Sequence, residues 1–80
     1  MIRLDIISSE QDVRDVLEYM VSVLGTKFHP DDPVHEYEQF GGGLLFTESQ
    51  ADYLEDLLNQ CYTYCEEHNL DIYEMTNEIL

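Results

Sequence analysis

Residues 47–70, TESQADYLEDLLNQCYTYCEEHNL, carry the pattern that decides the fold. Ala51, Leu54, Leu58, Cys61, Cys65 and His68 recur at three- and four-residue steps, widened on the flank by Leu57 and Tyr64. Glu48, Asp52, Asp56, Asn59, Thr63, Glu66 and Glu67 fall on the opposite side. That period belongs to an amphipathic helix, since a half-buried strand would alternate instead. Its start is marked by Thr47 with Gln50 three residues on, the form of a capping box, with Phe46 before the cap and Ala51 as its apolar partner. Its end is marked by Asn69, a residue that tolerates a left-handed backbone, followed by Leu70 as the apolar contact usual at such an end. The spacing predicts a helix over about 48–68.

The same signals recur on either side. Ser9-Glu10-Gln11-Asp12 has the form of a capping box with Asp in place of Glu. After it Val13, Val16, Leu17, Met20, Val23 and Leu24 form one face and Asp12, Asp15, Glu18 and Ser22 the other, up to Gly25 as a left-handed cap. A helix over 10–24 follows. Asp71 reads as the cap of a last helix over 72–79, with Ile72, Met75 and Ile79 inward. Between these, Asp32-Pro33 reads as an N-cap and a first-turn proline, which predicts a short helix over 33–40 with Val34, Tyr37 and Phe40 inward. Gly41-Gly42-Gly43 then forms a turn or hinge. Leu44-Leu45-Phe46 either plugs the core or pairs with residues 2–7, whose alternation of Ile2, Leu4 and Ile6 with Arg3 and Asp5 suits a short strand or an extended arm. The expected fold is mainly α, a small bundle of three to four helices (about 10–24, 33–40, 48–68 and 72–79) forming one domain over 1–80.

Eighty residues make one domain, and 44% hydrophobic residues are too many for a disordered chain. Eighteen Asp and Glu stand against three Lys and Arg, a formal charge of -15. Direct binding to nucleic acid through a basic footprint is excluded on that balance, and anionic membranes would repel the chain. The N-terminus lacks the form of a signal peptide and no apolar run approaches the ~18 residues of a spanning helix, so a cytoplasmic location is expected. Cys61 and Cys65 lie four apart on the long helix, where Cβ atoms are about 5–6 Å apart. A disulfide wants about 3.5–4.5 Å. Two reduced, buried thiols in a reducing compartment are expected.

No constellation assembles into catalytic chemistry. Ser8, Ser9, Ser22 and Ser49 stand at helix starts or on a helix surface, none in a nucleophile elbow. The triple glycine lacks the lysine and hydroxyl of a phosphate loop. His29, Asp31 and His35 are the residues a metal ion would draw on, yet they match no recognised ligand spacing, and capping and surface roles account for each separately. No enzyme activity, metal or cofactor is expected.

The charge itself remains. Glu48, Asp52, Glu55, Asp56, Glu66 and Glu67 have no Lys or Arg one turn away, so they repel like neighbours by a few tenths of a kcal/mol each. A small domain needs only about 2–8 net charges for solubility. These acids, with Asp12, Asp15 and Glu18 on the first helix and with Tyr53 and Tyr62 as aromatic anchors, form the expected partner-binding surface. The role expected is non-enzymatic: binding, and so inhibiting or recruiting, a basic protein of the nucleic-acid-binding kind, as a nucleic-acid mimic or an acidic adaptor. The competing expectation is a structural helical domain that forms a homodimer through the stripe Ala51, Leu54, Leu58, Cys61 and Cys65.

Overall fold

The long helix forms where its period and caps place it. In the computed structural model, which describes residues 3–38 and 42–80, it runs Glu48–Glu67. Thr47 Oγ1 accepts from the Gln50 amide at 3.2 Å and the Thr47 amide donates back to Gln50 Oε1 at 3.0 Å, so both halves of the capping box are made. The far end stops one residue earlier than expected. His68 is the C-cap, Asn69 turns to φ 55, and the Leu70 amide donates to the Cys65 carbonyl at 2.8 Å, the six-to-one bond of a left-handed helix end. His68, which the spacing set on the apolar stripe, is exposed; its Nδ1 lies 2.9 Å from the Tyr64 carbonyl and its ring stacks on Tyr64 at 3.9 Å.

We call the helices α1 (Glu10–Leu24), α2 (Glu48–Glu67) and α3 (Ile72–Ile79). Ser9 caps α1 by accepting from the Asp12 amide at 3.1 Å, and the Asp71 carboxylate caps α3 by accepting from the amides of Tyr73 and Glu74 at 2.9 and 3.2 Å. Asp12 does not close the box on Ser9. Its carboxylate reaches one residue further and takes the Ser8 amide and hydroxyl at 3.0 and 3.1 Å. Gly25 has the positive φ (61) that its position suggested, but ψ is -139, outside the left-handed helical region. The chain therefore leaves α1 through a single 3-10 turn, Gly25–Lys27, rather than a left-handed cap.

One expected helix does not form. The helix over 33–40 is reduced to one 3-10 turn, Val34–Glu36. Pro33 stands at the cap position with extended backbone (ψ 130), Asp32 supplies no capping bond, and Tyr37 is extended again (ψ 133). The side-chain cap that Asp71 gives the equally short α3 is missing here. The chain instead doubles back: Glu38 and Leu44 form an isolated antiparallel bridge, and the Leu45 amide donates to the Tyr37 carbonyl at 3.0 Å. Gly42 and Gly43 sit at φ 97 and 85, values an L side chain rarely adopts, and they make this reversal. Phe40 and Gly41 lie outside the described residues.

Of the two forms open to residues 2–7, the described residues 3–7 take the extended arm, Ile2 lying outside the described residues. The Tyr53 hydroxyl accepts from the Leu4 amide at 2.9 Å and donates to the Leu4 carbonyl. Gln60 holds the next stretch, its Oε1 taking the Ile7 amide at 2.9 Å and its Nε2 donating to the Asp5 carbonyl at 3.0 Å. Side chains of α2 thus satisfy the backbone groups that a second strand would have paired. The Leu44–Phe46 link does not reach this arm as a strand: Leu44 is exposed, and Leu45 and Phe46 are half-buried against the core.

One core joins all three helices, with α1 packed on α2 and α3 and the Val34–Glu36 turn seated on α2. Val13, Val16, Leu17 and Met20 meet Leu54, Leu57, Leu58 and Cys61 there. Val23, which the spacing placed inward, is 40% exposed, because the buried face of α1 passes through Met20 and Leu24. The loop between α1 and α2 adds Phe28 and Val34. The α2 stripe reserved for a second copy (Ala51, Leu54, Leu58, Cys61 and Cys65) is at most 3% exposed within the single chain. Cys61 and Cys65 are buried thiols with no disulfide; burial pushes Cys61 up to about 12 and Cys65 upward as well, which leaves neither as a nucleophile near neutral pH. Among the described residues no helix is long and apolar enough to cross a membrane.

Candidate functional site

Burying the apolar side of α2 turns its other side to solvent. Glu48, Asp52, Asp56, Glu66 and Glu67 are all exposed there, the first three one turn apart and the last two adjacent, with Asn59 and Thr63 between the two acidic groups. Over the twenty residues from Glu48 to Glu67 the helix rises about 29 Å, so the row's five carboxylates average one per ~6 Å. Glu48, Glu66 and Glu67 make no hydrogen bond or ion pair among the described residues. Asp56 accepts from Gln60 Nε2 at 2.9 Å, and Asp52 lies 2.7 Å from His35 Nε2.

The other expected contact residues divide. Asp15 and Glu18 form a second, shorter row on the outer side of α1, where Asp15 accepts from Gln11 Nε2 at 2.8 Å. Glu55 is half-buried and structural in its bonding, taking the Val34 amide at 2.8 Å to seat the 3-10 turn on α2. Asp12 is committed to Ser8, whose amide holds the Asp12 carboxyl below its ordinary pKa. Tyr53 is occupied with the N-terminal arm.

Few cations offset these charges. Arg14 spans α1 and α3, 3.5 Å from Glu10 and 3.3 Å from Glu78. Arg3 and Lys27 make no ion pair among the described residues. The expected metal residues are not brought together. His35 turns to Asp52, while His29 Nδ1 accepts the Asp31 amide at 3.1 Å. Among the described residues no group of three or more His, Cys, Asp and Glu side chains could hold a metal ion.

What the sequence did not disclose is the role of Asp31. Its Oδ1 accepts two phenolic hydroxyls, Tyr62 from α2 at 2.5 Å and Tyr73 from α3 at 2.7 Å. One loop carboxylate thereby ties both helices, separated from it by 31 and 42 residues, and no local pattern could announce pairings at that range. The two rings meet edge to face with centroids 6.4 Å apart, and His29 lies 6.0 Å from Tyr73. The Tyr62 hydroxyl, then that of Tyr73, holds the Asp31 carboxyl below its ordinary pKa. Burial, and next the bond to Asp31, pushes the Tyr62 phenol upward.

The sign of the resulting pH dependence is fixed. A carboxyl with a lowered folded pKa stabilises the fold above its unfolded value, near 3.9, and loses that contribution as pH falls through the folded value. A phenol with a raised folded pKa stabilises below about 10 and loses its contribution as pH rises. The Asp31 tie should therefore hold from about pH 4 to about pH 10. The Asp31→Asn variant should melt below the parent at pH 5, and the gap should narrow as the pH falls through the lowered folded value, where the parent carboxyl also becomes neutral. Thermal melts of both proteins over a descending pH series check this; a gap that stays constant would remove the carboxylate's charge from the account.

Compared with known protein families, curated proteins and solved structures, the chain shows no match.

Proposed function

We propose that this is a non-enzymatic interaction protein whose α2 carboxylates bind a basic protein. The observation that supports the reading is the exposed row from Glu48 to Glu67, in which, among the described residues, only Asp52 faces a group able to carry positive charge. Like charges spaced a turn apart cost a helix stability, so a row of them without partners suits a surface whose partners are on another molecule. Such a surface steers a basic partner by long-range attraction, with rates that fall as salt rises. The second copy of the chain is a poorer occupant, because the apolar stripe it would have covered is already buried.

The row's charge density also bounds the nucleic-acid-mimic form of this reading. One carboxylate per ~6 Å is roughly half the linear charge of a single DNA strand, which has a phosphate every ~3.4 Å of axis. A nucleic-acid-binding partner should therefore be held less tightly by this protein than by duplex DNA. The test is capture from native cell extract in low and in high salt, with bound proteins ranked by isoelectric point. Basic proteins that release at high salt and are displaced by added duplex DNA are the expected result. Neutral or acidic proteins that remain bound through the salt wash would defeat the proposal.

A further inference from the structure

We propose that the groove between the end of α2 and the start of α3 receives the guanidinium of an arginine on the partner. The inference rests on the reading that the partner is basic, and it names the contact that would dominate the interface. The groove is a shallow, open depression of about 540 Å³, a shape that suits a side chain presented by a partner's surface. Tyr62 and Tyr73 wall it, and buried Cys65 and Ile72 give it an apolar base. Both tyrosine hydroxyls are tied to Asp31 at 2.5 and 2.7 Å, so the rings are held in place before any ligand arrives and less ordering is left to be done on binding.

The electrostatics favour a cation. Glu66 lines the groove, exposed and with no hydrogen bond or ion pair among the described residues. The last turn of α2 ends here with no basic residue in it, so the negative end of the helix dipole adds to the preference for a cation, with His68 at the C-cap on the Tyr64 carbonyl. The positive end of α3 also borders the groove, but the Asp71 carboxylate covers it by accepting the amides of Tyr73 and Glu74. Aromatic walls with a carboxylate at the rim suit a guanidinium better than an ammonium. The guanidinium is planar, weakly hydrated and able to stack on a ring while forking to a carboxylate.

The test uses the full chain, titrated at low salt with short peptides that differ only in carrying arginine or lysine, and followed by amide NMR shifts. Shifts centred on residues 62–73 are expected, with arginine bound more tightly than lysine. Glu66→Gln and Tyr73→Leu should each weaken the arginine peptide by about threefold or more, as loss of an exposed ionic or cation–π contact would. Glu36→Gln, on the exposed 3-10 turn and outside both the groove and the α2 row, should change it less than twofold. Equal affinity for the two peptides, or equal losses from Glu36→Gln and Glu66→Gln with shifts spread over the whole surface, would overturn the groove while leaving the basic-partner reading intact. Failure of both peptides to bind would overturn both.

Discussion

Leu54→Ala should destabilise the chain by about 3 kcal/mol, within the range for a buried leucine whose site collapses only in part. Leu54 is 0% exposed at the centre of the α2 stripe, in the one core that joins all three helices. Stability of about 0.05–0.15 kcal/mol per residue gives a domain of this size roughly 4–12 kcal/mol in all, so the substitution removes a large part of it. With about 4–8 °C of melting temperature lost per kcal/mol, a drop of some 12–24 °C is expected in a circular dichroism melt. Val23→Ala is the matched comparison. It shares the apolar spacing of α1 but is 40% exposed, and should stay within about 0.5 kcal/mol of the parent. If Leu54→Ala instead melted within a few degrees of the parent and the parent's melt rose with protein concentration, the stripe would be an interface between copies rather than an internal core.

The contrast between those two valine and leucine positions shows where sequence reasoning succeeds. Long periodic segments with paired caps are legible because each signal is local: Thr47 with Gln50, Ser9 with the Asp12 amide and Asp71 with two amides all act within one turn. Burial of Val23 is not local, since which edge of a wide stripe faces inward depends on where α2 and α3 sit. The failure over 33–40 has a similar cause. Pro33 is as compatible with the extended backbone it adopts (φ -62, ψ 130) as with a helix start, and no side chain caps this turn as Asp71 caps the equally short α3. On the site, the acidic row could be read from the helix period alone. The groove could not, because it depends on Asp31 reaching Tyr62 and Tyr73 across the fold. Nor could the period separate Glu55, which seats the 3-10 turn through the Val34 amide, from its exposed neighbours.

The combined variant Asp56→Asn, Glu66→Gln, Glu67→Gln should become more stable and bind worse. All three side chains are exposed, and Glu66 and Glu67 stand in the last turn of α2, where the helix dipole disfavours negative charge by about 0.3–1 kcal/mol each at low salt. Asn at position 56 keeps an oxygen for Gln60, so little bonding is lost there. A gain near 1 kcal/mol is expected, or about 4–8 °C in melting temperature, shrinking as added salt screens the same repulsion in the parent. Glu48 is left in place because its position in the first turn is favoured by the dipole. Association with the basic partner should fall by about tenfold or more, chiefly in the on-rate at low salt. The opposite signs separate the two accounts of the charge. Acids that serve only to keep the chain in solution would give the stability gain with unchanged binding, whereas acids that meet a partner make the fold less stable than it could be in return for the attraction. Melts and stopped-flow association measured on the same preparations decide between them, and a variant that gained stability while binding as fast as the parent would leave the row without a role in recognition.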